Sequence, residues 1–159
     1  MVAEHAMDEY DLRILKLVQS NSRMGAEKIA ETVGLSTSAV QRRLKRLRDS
    51  RIIEREIAVL SPEGLGRKLI AIVEIVMQRD RPLSSPQEEF KRLMIETPEI
   101  MQCYHVTGEI DFIVILTATD MEEYETLTRK LFVDNAAVRG YKTHIVMKRV
   151  KFGLEVPIV

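Results

Sequence analysis

Seven basic side chains fall between residues 42 and 55: Arg42, Arg43, Lys45, Arg46, Arg48, Arg51 and Arg55. Only Asp49 and Glu54 oppose them, so the stretch carries a local excess of five positive charges in a chain whose formal net charge is zero. Guanidinium and ammonium groups at this density can neutralise phosphates, and arginine can also reach the hydrogen-bonding edge of guanine. Directly upstream stand Ser36, Thr37 and Ser38. Their hydroxyls can donate to phosphate beside the free N–H groups of a helix start. Overall neutrality does not exclude a nucleic-acid partner, because steering depends on where charge sits. The plain alternative is a basic helix face that is only solvated.

The elements that must position these groups follow from the apolar spacing. Val40, Leu44 and Leu47 cluster on one side of a helix running from Ser36 to Arg48, with Ser36 as N-cap. Ser38, Arg42, Lys45 and Arg46 then lie on the opposite side, with Gln41 at its border and Arg43 nearby. A preceding short helix is marked by Ile29, Ala30 and Val33 and stopped by Gly34. Small Ala30, the turn at Gly34 and the anchor Val40 have the spacing of a helix-turn-helix, whose second helix enters the major groove. Arg43 stands where an apolar residue is usual, and Leu44 takes that role. A first helix carries Leu12, Leu15 and Val18 on one face, with Asp8 and Asp11 at its positive end. Residues 52–60 read as a strand and residues 61–66 as a turn-rich connection.

From Leu69 the period changes. Strands are expected at 69–77, 100–107, 112–119 and 138–150, and helices at 87–96 and 121–132, the latter capped by Asp120. Residues 81–86, with two prolines, read as a loop. The order βαββαβ is that of a ferredoxin-like domain, giving an α+β chain of two parts. Residues 69–77 and 112–116 are apolar almost throughout, unlike strands with one wet face. They would be the central pair, with helices on one side. A second copy is the simplest cover for the other, which predicts a homodimer. The turn Gly108-Glu109-Ile110-Asp111, judged by its residues alone, reads as an ordinary hairpin connection.

Enzyme chemistry finds little footing. His5, His105 and His144 are the three histidines. The first lies near the N-terminus and the others on opposite sheet edges, so no metal site is expected. Cys103, the single cysteine, reads as a packed side chain, and with no disulfide possible the cytoplasm is the expected compartment. No phosphate loop, nucleophile elbow or dinucleotide fingerprint occurs, so neither catalytic residues nor a cofactor are expected. No signal peptide or spanning stretch is visible.

The run from Val33 to Leu47 (VGLSTSAVQRRLKRL), the segment Val106 to Phe112 (VTGEIDF) and the segment Tyr141 to Met147 (YKTHIVM) together resemble the leucine-responsive regulator/asparagine-regulator (Lrp/AsnC) feast/famine family of transcription factors. The resemblance runs from about residue 8 to residue 152. It implies a DNA-binding part at 1–51, a strand linker at 52–66 and an assembling, effector-sensing part at 67–159. It also implies double-stranded DNA as partner, dimers that associate to tetramers or octamers, and an amino-acid effector. By position, the effector residues it implies are Gly108, Glu109 and Asp111 in the turn and Tyr141 and Thr143 in the last strand, with Tyr104 and Val106 close by. The acids would accept from an ammonium, and turn N–H groups and the Thr143 hydroxyl would donate to a carboxylate. Tyr141 departs from the family, which often has threonine there; it would shrink the pocket or place an aromatic wall, and so change the effector. The sirohaem decarboxylases also resemble this two-domain pattern, but carry histidine in the linker region where residues 57–62 here have none. A tetrapyrrole-binding relative and an assembly module without DNA affinity are the alternatives.

Overall fold

The computed structural model describes residues 7–78 and 84–158. Contacts divide it into two compact units. One runs up to Val59 and takes in the chain from Lys151 onward; the other spans Leu60–Val150. The expected boundaries at 51/52 and 66/67 divide the chain differently, and the last residues go with the helical unit.

The helical unit is built from α1 (Glu9–Ser20), α2 (Ala26–Val33) and α3 (Thr37–Asp49). Three of the helix ends have a clear local cause. Asp8 caps α1 by accepting from the Asp11 N–H at 2.9 Å, and the Asp11 carboxylate accepts from the Asp8 N–H at 3.2 Å, a reciprocal capping box. Gly34 ends α2 at φ 77°, in the left-handed region where a Cβ is costly. Ser36 caps α3 by accepting from the Ala39 N–H. The core is Ile14, Ile29, Ala30, Val33, Val40, Leu44 and Leu47, all buried. Ile14 rather than Leu12 is the centre of the α1 face. Leu15, Leu17 and Val18 pack around it half-buried.

Residues 54–60 take no regular secondary structure and pair with no strand among the described residues, and Ile57, Val59 and Leu60 stay exposed. The expected linker strand is therefore absent among the described residues, because a segment becomes a strand only with a partner to complete its hydrogen bonds. Farther on, a one-turn 3₁₀ helix (Glu63–Leu65) closes at Gly66, φ 77°. Beyond Lys151 the chain docks on α1. Gln19 donates to the Val156 carbonyl and accepts from the Val156 N–H, both at 3.2 Å, and Ser20 donates to Glu155.

The second unit runs β1 (Leu69–Met77), α4 (Ser84–Glu96), β2 (Ile100–His105), β3 (Phe112–Ala118), α5 (Met121–Thr128) and β4 (Val138–Ile145). Its antiparallel sheet has the order β2-β3-β1-β4, so β1 and β3 are central, as the ferredoxin-like arrangement requires. Of the expected loop at 81–86, residues 81–83 lie outside the described ones and 84–86 open α4. Pro86 is tolerated in that first turn because N–H groups there lack helical partners. Asp120 caps α5 as expected, but the α-helix stops at Thr128 and passes into a π turn (Arg129–Val133). β4 ends at Ile145 rather than residue 150. Its partner β1 begins at Leu69, and the last bond of the pair runs from the Val146 N–H to the Ile70 carbonyl.

Alternate side chains of β1 (Leu69, Ala71, Val73, Ile75, Met77) and β3 (Phe112, Val114, Leu116, Ala118) are buried with Phe90, Met94, Tyr124, Leu131 and Phe132 from the helical layer. The intervening Ile70, Ile72, Val76, Ile113 and Ile115 point to the other face and are half-buried. That face also holds the pair Glu74–His144 at 3.2 Å.

Candidate nucleic-acid interface and sensing surface

α3 is anchored by Val40, Leu44 and Leu47 and turns its other side outward. Ser36, Ser38, Gln41, Arg42 and Lys45 are exposed there, and Thr37 is half-buried. Arg42 has no ion-pair partner among the described residues. Lys45 reaches Asp49 at 2.6 Å, but both side chains are more than 60% exposed. A pair so wet contributes little and gives way readily to phosphate. Arg42, Lys45, Arg46, Asp49 and Ser50 line a shallow open depression.

Arg43 and Arg46 are arranged differently. The Asp11 carboxylate, 1% exposed, accepts from Arg43 Nη1 at 2.8 Å through Oδ1 and from Arg46 Nη2 through Oδ2. Arg43 also pairs with Asp8 at 2.7 Å and lies 5.6 Å from the Tyr10 ring centre. The Asp11 N–H and then the Arg43 guanidinium hold the Asp8 carboxyl below its ordinary pKa. Hydrogen bonds to Asp11 and Asp8 push Arg43 up. Arg43 is 23% exposed and Arg46 is 42% exposed, so the first is consumed by the acids and the second is held by one edge only. Arg48 forks onto Glu56 at 3.0 and 3.2 Å. Counting Asp8, Asp11 and Glu56 with Asp49 and Glu54 lowers the local positive excess from five to two. The linear count missed these acids because two of them sit a whole helix-turn-helix upstream.

The turn after β2 carries Gly108 at φ 121°. Glu109 is exposed, and Val106 beside it is half-buried and donates its N–H to the Asp111 carbonyl. The Asp111 carboxylate is already occupied: it accepts from the Met77 N–H at 2.7 Å, while the Asp111 N–H donates to the Ile75 carbonyl. Asp111 thus ties the turn to the end of β1, a use that the turn motif did not reveal. Tyr141 pairs in register with Ile75, and Thr143 with Val73, on the helix-covered face. Tyr141 packs on Phe132, and the Thr143 hydroxyl bonds to Tyr124. Tyr104 pairs with Ile113 and so lies on the other face of the opposite edge strand, half exposed. Within one chain Tyr104 is not brought to Tyr141 and Thr143, and the turn stands at the same sheet end as Tyr141 with β1 between them.

His105 stacks on Phe112 and His144 faces Glu74, at opposite sheet edges; His5 lies outside the described residues. Cys103 is half-buried against the core, and desolvation raises its thiol pKa.

A helix-turn-helix with an exposed basic helix, followed by a ferredoxin-like sheet with a half-open face, defines a two-domain DNA-binding regulator. Comparison with known proteins agrees. A family model for the AsnC-type helix-turn-helix domain matches residues 7–48, and one for the Lrp/AsnC ligand binding domain matches residues 70–156. The chain is 45% identical over 152 residues, 96% of its length and 89% of the relative's, to the uncharacterized HTH-type transcriptional regulator y4tD of Sinorhizobium fredii. It is 33% identical over 146 residues, 92% of its length and 87% of the relative's, to the leucine-responsive regulatory protein of Haemophilus influenzae. The transcriptional regulator NMB0573 of Neisseria meningitidis, solved as an L-Met complex, is 28% identical with a TM-score of 0.89, over 96% of this chain and 97% of that one. This chain belongs to the Lrp/AsnC family and is a sequence-specific DNA-binding transcription regulator rather than an enzyme. Among the described residues no helix is long and apolar enough to cross a membrane.

Proposed function

We propose that α3 reads double-stranded DNA through Ser36, Thr37, Ser38, Gln41, Arg42, Lys45 and Arg46, with Arg43 bracing it from behind. The observation that carries this reading is the exposure of Ser38, Arg42 and Lys45 directly opposite buried Val40, Leu44 and Leu47. Arg42→Ala should weaken binding to a duplex selected by the protein itself from a randomised pool, and lower the slope of log affinity against log salt by about one. Unchanged affinity and slope in Arg42→Ala, together with unchanged binding in an Arg46 variant, would remove α3 from the duplex.

The sheet unit senses a small effector, and an amino acid is the class the Neisseria relative's L-Met complex favours. Gly108 and Glu109 in the turn, with Tyr141 and Thr143 on β4, are the groups proposed to meet it, and Tyr104, Val106 and Asp111 to frame it. Because Tyr104 lies on the other face from Tyr141, a site using both would draw them from different copies. A screen of free amino acids for a rise in melting temperature tests this, since only a ligand of the folded state stabilises; no shift from any of them rejects it. The half-buried isoleucines of the open sheet face support a homodimer, with tetramers or octamers as the further step. Sedimentation as a monomer at micromolar concentration would reject the dimer.

A further inference from the structure

Asp11 is the buried acid of the helical unit, and both of its oxygens are spent on the recognition helix. Oδ1 holds Arg43 and Oδ2 holds Arg46. The two arginines are not equivalent. Arg43 meets two carboxylates and the Tyr10 ring and is largely covered. Arg46 gives Nη2 to Asp11, keeps 42% of its side chain exposed, and borders the same depression as Arg42 and Lys45. A guanidinium has five N–H donors in a rigid plane, so one edge can grip a carboxylate while another faces outward.

We infer that Asp11 is a positioning residue for sequence readout: it fixes the plane of Arg46 so that the free edge meets a base, although α1 itself touches no base. This rests on the reading that the exposed side of α3 faces the duplex. The physical case is one of preorganisation. An unbraced arginine carries large rotamer freedom and reaches phosphate in many poses, which adds affinity without selectivity. A braced one presents its fork in one direction, as guanine O6 and N7 require. The buried carboxylate also offsets positive charge behind the helix, which holds down attraction to arbitrary DNA.

The test is a double-mutant cycle on Asp11→Asn and Arg46→Lys in the full chain. Two probes are used: the tightest duplex that the wild-type protein selects from a randomised pool, and sheared genomic DNA as competitor. Arg46→Lys keeps the charge and removes the fork. Selectivity for the chosen duplex should fall about tenfold while affinity for sheared DNA holds. Asp11→Asn should lose selectivity to a similar extent, with sheared-DNA affinity equal or higher, and the double variant should lose no more than either single one. Circular dichroism and melting establish that each variant is folded. A folded Asp11→Asn with wild-type selectivity overturns the inference, as do losses that simply add. Should Asp11→Asn not fold, Asp11→Glu replaces it, shifting the same charge by one methylene. Unchanged selectivity in Arg46→Lys is by itself decisive against the proposal. Arg42→Ala serves as the separate control: if it and Arg46→Lys both leave all binding untouched, the placement of α3 on DNA fails. If Arg42→Ala weakens binding while selectivity survives at Asp11, only the positioning role fails.

Discussion

Replacing Asp11 by alanine should lower the stability of the helical unit by about 3 kcal/mol, and the figure can be built from its contacts. The carboxylate accepts from Arg43, from Arg46 and from the Asp8 N–H that completes the α1 capping box. Charge-assisted hydrogen bonds contribute about 1.5–3 kcal/mol each when buried, and losing one side of a buried pair costs roughly 3–5 kcal/mol. Both arginines can rehydrate, Arg46 at 42% exposure more easily than Arg43 at 23%, and Arg43 keeps Asp8. Solvent screening therefore removes most of the Arg46 share. What remains is about 2 kcal/mol from Arg43 and the emptied site and about 1 kcal/mol from the halved capping box. Urea unfolding followed by far-ultraviolet dichroism reads it as a shift of the helical unit's midpoint at constant slope. Asp8→Ala, whose carboxylate is half exposed, should cost clearly less. A loss below about 1 kcal/mol for Asp11→Ala, or equal losses for the two, would refute the claim that the buried acid organises this unit.

Gly34→Ala should destabilise by about 1–2 kcal/mol in the same assay; the space around Gly34 is open, so the whole cost comes from φ 77°. Asp111→Ala strips the partner from the Met77 N–H and should cost about 1–2 kcal/mol, read as a lower melting temperature of the sheet unit. Glu123 is held below its ordinary pKa of 4.5 first by the Thr119 N–H, then by the Thr119 hydroxyl and Arg67. A depressed carboxyl gives stability that is complete above the unfolded pKa and is lost as pH falls through the folded value. Glu123→Gln should therefore flatten the fall in melting temperature below about pH 4.5 and leave the neutral range with a constant offset. An acid limb identical to wild type would contradict the assignment.

Much of this architecture was legible because its causes are local. Gly34, Ser36 and Asp120 act within a few residues, and the stripe Val40, Leu44, Leu47 defines which side of α3 is dry. The apolar strands 69–77 and 112–116 announced the central pair. What escaped depends on distance or on partners. Arg43 and Arg46 looked like members of one basic face, and their orientation is decided by an acid 32 and 35 residues earlier. Residues 52–60 are rich in isoleucine and valine but have no ladder among the described residues. Tyr104 and Tyr141 are both effector candidates by the family resemblance, yet strand parity and sheet order put them on opposite faces of opposite edges. The carboxylate of Asp111 stood out as a ligand group, while its place at the end of β1 makes it a backbone acceptor.

The clasp between Gln19 and Val156 makes the sheet an insertion within the helical unit: the chain leaves that unit after Val59 and rejoins it at Lys151. Pinning the returning segment on α1 closes a long loop of chain, and the entropy of such a closure grows only slowly with loop length. Strand β4, which carries Tyr141 and Thr143, ends at Ile145, and residues 146–150 follow before the chain returns to the helical unit. Loss of those two hydrogen bonds would let the segment beyond Lys151 peel from the end of α1, the helix whose other end carries Asp11, without altering a single residue of α3.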